Sequence, residues 1–241
     1  MKNLVISGYG KMGKEIGKIA QASGWNLIAT IDNQAEWISK AIAIKQGDVI
    51  IDFSTPEVVV ENIKAAFALK IPIVVGTTGW NAHFNEIENL CQSTGNTLVY
   101  ASNFSIGVNI FFEINKHLAE MMDHQEPYQV EVEEIHHTEK LDSPSGTAIT
   151  LAQQIIEKIQ RKDNFVNQPS ENPRELSIIS KRIAHVPGTH IINYSSDIDE
   201  IEIKHRAKSR KGFAQGAIWA ANWIIGRKGI FDFNDILFNK L

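Results

Sequence analysis

The residues best suited to chemistry lie close together in residues 134–148, which read EIHHTEKLDSPSGTA. His136 and His137 are adjacent, and Lys140 follows four residues after the first of them. An imidazole gives or takes a proton near neutral pH, and a lysine adds a compact positive charge. Gly146 and Thr147 then open a predicted helix, whose first N–H groups favour an anion. The segment therefore predicts proton transfer to an anionic ligand.

Other interpretations of the same segment remain open. One or both histidines could be ordinary surface residues, and an adjacent pair could instead bind zinc. The zinc interpretation is weaker, because no carboxylate or third ligand stands at the spacing of an HExxH motif. No cysteine is available as a ligand there either. We therefore predict no metal site.

A glycine-rich turn near the N-terminus has the spacing of a dinucleotide-binding motif. It follows a predicted strand and opens a predicted helix, so the helix N-terminus would attract a pyrophosphate. The alternative is a flexible turn without a ligand. The predicted cofactor residues of this turn are Gly8, Tyr9, Gly10, Lys11, Met12 and Gly13.

Asp32 ends the second predicted strand, about where a carboxylate accepts hydrogen bonds from an adenosine ribose. Asn33 and Gln34 follow it and supply no cation for a 2′-phosphate. The pattern favours NADH, although Lys11 could still meet a phosphate and NADPH stays possible. An Asp at this position is also often a simple helix cap.

Two further segments follow predicted strands at the edge where doubly wound sheets bind ligands. Small and hydroxyl-bearing residues there would let a nicotinamide ring approach the backbone, although either segment alone could be a turn. These predicted cofactor residues are Gly76, Thr77, Thr78, Ala101, Ser102, Asn103 and Phe104. Asp52 and Ser54 lie at the same edge, where we expect them to cap structure.

Short β-branched runs alternate with helix-period segments over the first hundred residues. The predicted strands cover residues 4–7, 27–31, 49–53, 71–75 and 97–100, and the helices 12–22, 56–69 and 84–92. Ser54 or Thr55 would cap the helix that begins at Pro56. This alternation predicts an α/β fold with a Rossmann-type, doubly wound parallel sheet.

The pattern changes after residue 103. A long helix (107–122), a strand (128–135) and a helix starting near Gly146 precede strands at 176–183, 189–195 and 200–205. These elements predict an inserted α+β domain with a mixed or antiparallel sheet. A last helix, 213–225, would return to the first domain. The predicted domains are 1–105 for the dinucleotide, 106–210 for substrate and oligomerisation, and 211–241 for the return.

Composition excludes several classes of protein. The 241 residues carry a formal net charge of −4, which argues against a nucleic-acid binder. Cys91 is the only cysteine, so a disulfide framework within the chain is impossible. No apolar run is long enough for a signal peptide or a membrane span. We expect a soluble, cytoplasmic protein with a small-molecule ligand.

The chain resembles the 4-hydroxy-tetrahydrodipicolinate reductases, also called dihydrodipicolinate reductases, of the diaminopimelate route to lysine. The resemblance rests chiefly on residues 134–148, and further motifs match in order at 76–79, 103–109, 186–189 and 213–217. It covers essentially the whole chain. It implies reduction of a cyclic dicarboxylate with NADH or NADPH, and a homotetramer built through the second domains.

The resemblance also implies roles for single residues. His136 and Lys140 match the proton-transfer positions, and His137, Gly146 and Thr147 match substrate-binding positions. Two rivals remain: a related reductase or dehydrogenase acting on a semialdehyde or imine, and a non-catalytic module that senses NADH. Neither rival has a reason to carry both the histidine pair and Lys140.

Overall fold

The computed structural model describes residues 1–239 and divides into two compact units. Unit 1 comprises Met1–Ile106 and Arg210–Leu241, and unit 2 comprises Gly107–Ser209. The boundaries expected from the sequence lie one residue from these. The inserted unit therefore interrupts the first one in the chain.

The described residues form strands and helices that we number in chain order. The strands are β1 (Asn3–Ser7), β2 (Asn26–Ile31), β3 (Val49–Asp52), β4 (Ile73–Val75), β5 (Thr97–Tyr100), β6 (Gln129–His136), β7 (Asn164–Val166), β8 (Glu175–Arg182), β9 (Thr189–Ser195), β10 (Glu200–Arg206) and β11 (Gly229–Asp232). The helices are α1 (Lys11–Ala22), α2 (Gln34–Ser39), α3 (Ala41–Ile44), α4 (Val59–Ala68), α5 (Phe84–Thr94), α6 (Ile106–Met122), α7 (Gly146–Lys158), α8 (Lys211–Ile224) and α9 (Phe233–Leu237), with a 3₁₀ turn at Asn81–His83.

Unit 1 is built on a parallel sheet in the order β11-β5-β4-β3-β1-β2. All residues of β3 and β4 are buried, as expected for strands covered on both faces. Helices α1 and α8 contribute Ile16 and Ala217 to the core on one side, and α4 contributes Ile63 to the core on the other. The structure confirms the α/β doubly wound fold and the return of the last long helix.

Helix α8 lies unusually close to the segment after β5. A Cβ atom added at Gly216 would stand 1.7 Å from the carbonyl oxygen of Phe104. Only glycine permits this approach, so α8 and the loop that starts α6 are fixed against each other within unit 1.

Unit 2 contains a mixed sheet in the order β10-β9-β6-β8-β7. Strand β9 pairs antiparallel with both β10 and β6, whereas β8 pairs parallel with both β6 and β7. Val132 of β6 and Ile178 of β8 share a core with Phe111 of α6 and Leu151 of α7. The predicted α+β insertion is confirmed, with the mixed sheet as the form that it takes.

The predicted start of the fourth helix was wrong. Helix α4 begins at Val59, not at Pro56, and no side chain caps it. The reason is that Asp52 accepts hydrogen bonds from both the amide and the hydroxyl of Ser54, at 3.1 and 2.8 Å. This local turn withdraws Ser54 from capping, and the carbonyl of Thr55 starts a separate turn before the helix.

Several short elements were not predicted, namely α2, α3, β7, β11 and α9. Each is six residues or shorter, too short for a periodic pattern to be recognised. Within residues 1–239, no helix has the length and apolar character needed to cross a membrane.

Candidate active site

The glycine turn of unit 1 is tightly packed on its inner side. Gly8 has a φ of +82°, and a Cβ atom there would lie 2.3 Å from the carbonyl oxygen of Phe53. A Cβ at Gly13 would lie 2.2 Å from the carbonyl oxygen of Gly8. Gly10 is exposed, and a Cβ there would meet no atom within 4 Å. The outer side of the turn is therefore open for a ligand.

The N-terminus of α1, which follows this turn, suits an anion. Its N-cap is Gly10, which makes no side-chain capping hydrogen bond, and the first turn carries no acidic residue. Lys11 is exposed at the first helical position. The amide groups and the positive end of the helix dipole thus fit a pyrophosphate.

Asp32 lies directly against the glycine turn. Its Oδ1 accepts a hydrogen bond from the amide of Tyr9 at 2.6 Å. Its own amide donates to Oε2 of Glu36 at 2.8 Å, and the same carboxylate pairs with Lys40 at 3.2 Å. The hydrogen bond from Asp32 and the interaction with Lys40 lower the pKa of Glu36. Two carboxylates therefore stand at the predicted ribose position.

Glu36 was not recognised from the sequence. The sequence feature that could have identified Glu36 is the N-cap of helix α2. Asn33 accepts a hydrogen bond from the amide of Glu36 at 3.2 Å and so fixes the first turn of the helix beside Asp32. Lys40, one turn later, donates to the carbonyl of Thr30 at 2.6 Å. The Lys40 ammonium group is therefore already bound to Glu36 and to the backbone of Thr30.

Asp52 is completely buried at the end of β3. Its carboxylate accepts from Thr77 at 2.7 Å and from the amide of Asn62 at 2.9 Å. Asn62 also donates to Ser7 at 3.1 Å and accepts from Trp37 at 2.9 Å. This network ties together the ends of β1, β3 and β4, where the predicted cofactor loops start.

The predicted cofactor residues after β4 divide into two kinds. The hydroxyl of Thr77 is used on Asp52, and its carbonyl accepts from Trp80 at 3.0 Å, so its side chain is part of the interior. Gly76 has the ring of Phe53 where a Cβ would stand, only 2.2 Å away. Thr78 is exposed. This loop therefore offers a ligand its backbone groups rather than the Thr77 hydroxyl.

A cavity of about 220 Å³ lies in unit 1 and includes much of the predicted nicotinamide region. It is lined by Met12, Phe53, Gly76, Ser102, Asn103, Phe104, Arg210 and Phe213. The ring of Phe104 belongs to the core and lies 4.8 Å, between centroids, from that of Phe233. Ala101 is also buried. Arg210 was not predicted, because it lies more than a hundred residues along the chain from the strand ends.

The reactive residues of unit 2 are brought together by strand pairing. Glu134 of β6 stands directly opposite Ser180 of β8 on one side and His190 of β9 on the other. His136, two residues after Glu134, lies on the same face of the sheet. The sequence identified His136 but not the contacts that join it to Glu134 and His190, or Glu134 to Ser180. A local sequence pattern does not show which residues of two strands are paired.

Glu134 is fully buried and accepts several hydrogen bonds. The amide of Ser145 lies 3.1 Å from each carboxylate oxygen, and the Ser180 hydroxyl lies 2.8 Å from Oε1. Arg182 approaches the same oxygen at 3.4 Å. Burial opposes ionisation, but the His136 ring and the hydrogen bonds from Ser145 and Ser180 outweigh it and hold the pKa of Glu134 well below its usual range.

His136 lies between this carboxylate and a second histidine. Its Nδ1 is fully buried and stands 3.3 Å from Oε2 of Glu134. The ring of His190 packs edge-on against it, with centroids 5.1 Å apart. Burial, together with the charge on His136, lowers the pKa of His190 to about 3. His190 is therefore a neutral ring that confines His136.

The remaining predicted residues lie in the loop that follows. Lys140 forms a salt bridge with Asp142, with nitrogen–oxygen distances of 2.8 and 2.9 Å. His137 is half-buried, with a buried Nδ1 that makes no hydrogen bond within the described chain. Gly146 and Thr147 open α7, which Ser145 caps by accepting from Ala148 at 3.2 Å.

The structure shows the carboxylate and third ligand that the zinc interpretation lacked, because Glu134, His136 and His190 present ligand atoms within 4.8 Å of one another. The Glu134 carboxylate of this group already accepts from Ser145 and Ser180 and is paired with Arg182, whose guanidinium would repel a metal ion.

Comparison with known proteins covers both units. Residues 2–104 match the family model of the dihydrodipicolinate reductase N-terminus, and residues 107–237 match that of the C-terminus. The 4-hydroxy-tetrahydrodipicolinate reductase of Christiangramia forsetii is 44% identical, covering 98% of this chain and 97% of the relative. That of Methanoregula boonei is 33% identical, covering 98% of each.

A solved structure shares the fold. The dipicolinate-bound dihydrodipicolinate reductase of Paenisporosarcina sp. TG-14 superposes with a TM-score of 0.78 at 24% identity, covering 98% of this chain and 99% of that one. Matches of both family models, together with relatives above 30% identity along nearly the whole chain, establish the family. The chain belongs to the dihydrodipicolinate reductase family.

Proposed function

We propose that this protein reduces 4-hydroxy-tetrahydrodipicolinate to tetrahydrodipicolinate with NADH or NADPH, in the diaminopimelate route of lysine biosynthesis. The observation that carries the proposal is the 44% identity to a relative of that name along almost the whole chain. The buried histidine–carboxylate pair of unit 2 and the open glycine turn of unit 1 supply the chemistry that such a reaction needs.

The dinucleotide is held by unit 1. The turn from Gly8 to Gly13 and the amides of α1 receive the pyrophosphate, and Asp32 receives the adenosine ribose. The loop residues Gly76 to Thr78 and Ala101 to Phe104 line the nicotinamide end. When bound, the cofactor supplies the hydride. Because two carboxylates stand at the predicted ribose position, NADH is used at least as well as NADPH.

The substrate is held by unit 2. The first amides of α7, at Gly146 and Thr147, bind one carboxylate of the cyclic dicarboxylate by the physics that binds anions at helix N-termini. His137 orients the ring. Lys140 balances the second carboxylate, in exchange for its partner Asp142.

Addition of the hydride with loss of the 4-hydroxyl group as water consumes one proton, and its delivery is the task of His136 and Lys140. His136 is the better-positioned donor, because the Glu134 carboxylate lies 3.3 Å from its ring and stabilises the protonated form, and because His190 restricts its motion. Lys140 lies on the following loop and is partly exposed. We assign both as catalytic residues of the reduction.

The assembly we propose is a cytoplasmic homotetramer joined through the sheets of unit 2. Support comes from the sheet face opposite α6 and α7, where Ile135, Ile179 and Ile191 are only half-buried. In sedimentation velocity, a tetramer that covers this face would have about four times the mass of one chain. Replacing Ile191 by Asp should then give smaller species in sedimentation velocity, and a monomeric wild-type protein would refute the assembly.

The function is tested by following NADH and NADPH oxidation at 340 nm with 4-hydroxy-tetrahydrodipicolinate generated in the cuvette. The proposal predicts rapid oxidation that requires the substrate. A protein that binds NADH without turnover would instead be a sensing module, and turnover of a semialdehyde or imine alone would point to a different reductase. Either result would overturn the assignment.

A further inference from the structure

The proposed reaction uses Glu134 only as a counter-charge to His136, although it is the most enclosed charged group of unit 2. It has no solvent exposure, and it is surrounded by donors from three segments of the chain: Ser145, the β8 residues Ser180 and Arg182, and His136. Removing a carboxylate from water is costly unless it is fully hydrogen-bonded. Such an arrangement calls for an explanation in terms of what it does to its neighbours.

The neighbour that matters is His136. One carboxylate oxygen, Oε1, receives the Ser180 hydroxyl and Arg182, whereas Oε2 faces the ring nitrogen Nδ1 at 3.3 Å. Nδ1 is buried and makes no hydrogen bond in the described chain, but Oε2 lies 3.3 Å away. A small rotation of the ring would direct a proton on Nδ1 to Oε2, and the bond that one nitrogen makes decides which tautomer a neutral imidazole adopts.

The other ring nitrogen lies next to a glycine. Nε2 of His136 lies beside Gly188, where an added Cβ atom would come within 3.1 Å of it. A glycine at this position leaves room next to Nε2 that any side chain would fill. The ring thus has one nitrogen held inside the protein and one with space beside it.

We propose that Glu134 is the positioning residue of His136: its carboxylate keeps the proton on Nδ1, so that Nε2 is the nitrogen that exchanges a proton with the substrate. This inference rests on the proposed function, in which His136 is a proton donor. The same carboxylate stabilises the doubly protonated ring that donates from Nε2.

The other charged and titratable groups around the pair do not substitute for this contact. Arg182 of β8 binds the carboxylate itself, and Lys140 and Asp142 of the following loop pair with each other. His190 of β9 stays neutral because burial lowers its pKa to about 3. Glu134 is thus the only anion that the described structure places against Nδ1 of His136.

The first test needs no variant. Nitrogen-15 NMR of histidine-labelled wild-type protein, with the His136 signals assigned from their loss in His136→Gln, distinguishes the two neutral tautomers. Above the titration of the ring, we expect Nδ1 to carry the proton. A ring protonated on Nε2 would overturn the proposal, whether or not the enzyme is active with the proposed substrate.

The second test uses Glu134→Gln, which keeps the size but removes the charge. We expect kcat to fall about 10²-fold with little change in substrate KM, because the ring is no longer held in the orientation and tautomer that serve the substrate. Nitrogen-15 NMR of histidine-labelled Glu134→Gln should show a neutral His136 ring with more of its proton on Nε2, a change that a structural role alone would not cause. Wild-type kcat and an unchanged tautomer in the folded variant would refute the proposal, while inactivity of the wild-type protein would refute the proposed function instead.

Two companions make this test specific. Glu133→Gln removes the neighbouring carboxylate, which lies on the opposite face of the same strand and pairs with Lys181. It should retain wild-type kcat and the wild-type tautomer of His136. Glu134→Asp keeps the charge and should restore part of kcat. Equal effects in Glu133→Gln and Glu134→Gln would show that net charge, not position, matters.

Discussion

His136, His137 and Lys140 are neighbours in sequence but have different surroundings in the structure. His136 is buried against a carboxylate, His137 is half-buried, and Lys140 is paired with the exposed Asp142. These surroundings suggest a division of labour. A buried, confined ring suits proton transfer, whereas a lysine on a loop can leave its partner to bind a substrate carboxylate.

The division of labour can be measured by steady-state kinetics of three variants. A positioned general acid contributes about 10²–10⁴-fold in rate, so His136→Gln and Lys140→Met should each lower kcat by that order. Lys140→Met should also raise substrate KM, and His137→Gln should act mainly through KM.

His124→Gln is the matched control, because this histidine is exposed in the same unit. It should behave as wild type. Near-wild-type kcat in both His136→Gln and Lys140→Met would rule out the assignment of proton donors.

Asp32 and Glu36 form an anionic pair at the predicted ribose position. A 2′-phosphate would be repelled by both carboxylates, so Asp32→Ser should raise the ratio of kcat/KM for NADPH to that for NADH. A roughly tenfold rise corresponds to about 1.4 kcal/mol, well within the range of one close charge pair. Asp197→Ser, at an exposed position in unit 2, should leave the ratio unchanged. A wild-type enzyme that strongly prefers NADPH would show that Lys11 or another cation dominates.

The site residues found from the sequence were those that share a local motif. The glycine turn, Asp32 and the histidine segment are each readable within a few positions, and strand-end loops follow from the alternation of elements. His190, Ser180 and Arg210 were missed because they reach their neighbours through strand pairing or through the return of the chain. The choice of tautomer at His136 likewise depends on a contact across the sheet, which no spacing encodes.

Among the helices and strands, the turn from β1 to α1 combines a rigid inner side with an open outer side. Gly13 closely contacts Gly8, but Gly10 has a φ of −75° and free space around it. The two glycines therefore serve different purposes. One allows the helix to approach the turn, and the other allows a ligand to approach the helix.

This difference predicts opposite phenotypes for two alanine variants. Gly10→Ala should lower the free energy of unfolding by no more than about 1 kcal/mol, the cost of alanine in place of glycine at an N-cap, since its Cβ meets no other atom, but it should weaken NADH binding about tenfold or more. Gly13→Ala should destabilise the protein by about 1–3 kcal/mol through overpacking. Urea unfolding and calorimetric NADH titration measure both. Unchanged NADH affinity in Gly10→Ala would assign this glycine to turn geometry alone.

The fold follows from the sequence at the level of long elements. The boundaries of β5 and β9 and the start of α7 were predicted to within one residue because clear turn or capping residues mark them. The predicted start of α4 was wrong because Ser54, one of the expected caps, donates its hydroxyl to the buried carboxylate of Asp52 instead. A tertiary contact with one buried polar group thus replaced the local capping interaction.

Across the whole chain, stability should depend on pH through the buried His190. Its folded pKa, about 3, lies below the value near 6.5 of an unfolded histidine. Between these pH values the unfolded chain binds a proton that the folded protein does not bind. The free energy of unfolding therefore has its full value above pH 6.5 and falls as the pH drops below 6.5.

His190→Gln removes this titration. Between pH 7 and pH 5, wild type should lose about 2 kcal/mol more stability than the variant. Urea unfolding followed by circular dichroism measures the difference, since all five tryptophans lie in unit 1 and report poorly on unit 2. Equal losses in the two proteins would mean that His190 is not held neutral, and His124→Gln should match wild type.

If this chain transfers a hydride from a dinucleotide to 4-hydroxy-tetrahydrodipicolinate, a deuterium on C4 of NADH must reach the product. NADH deuterated at both C4 positions is supplied, and the product is analysed by mass spectrometry. We predict tetrahydrodipicolinate that carries one deuterium and forms in step with NADH oxidation, and that forms more slowly with Gly10→Ala at low NADH. Unlabelled tetrahydrodipicolinate, or no product while NADH stays bound, would show that the chain does not catalyse this reduction.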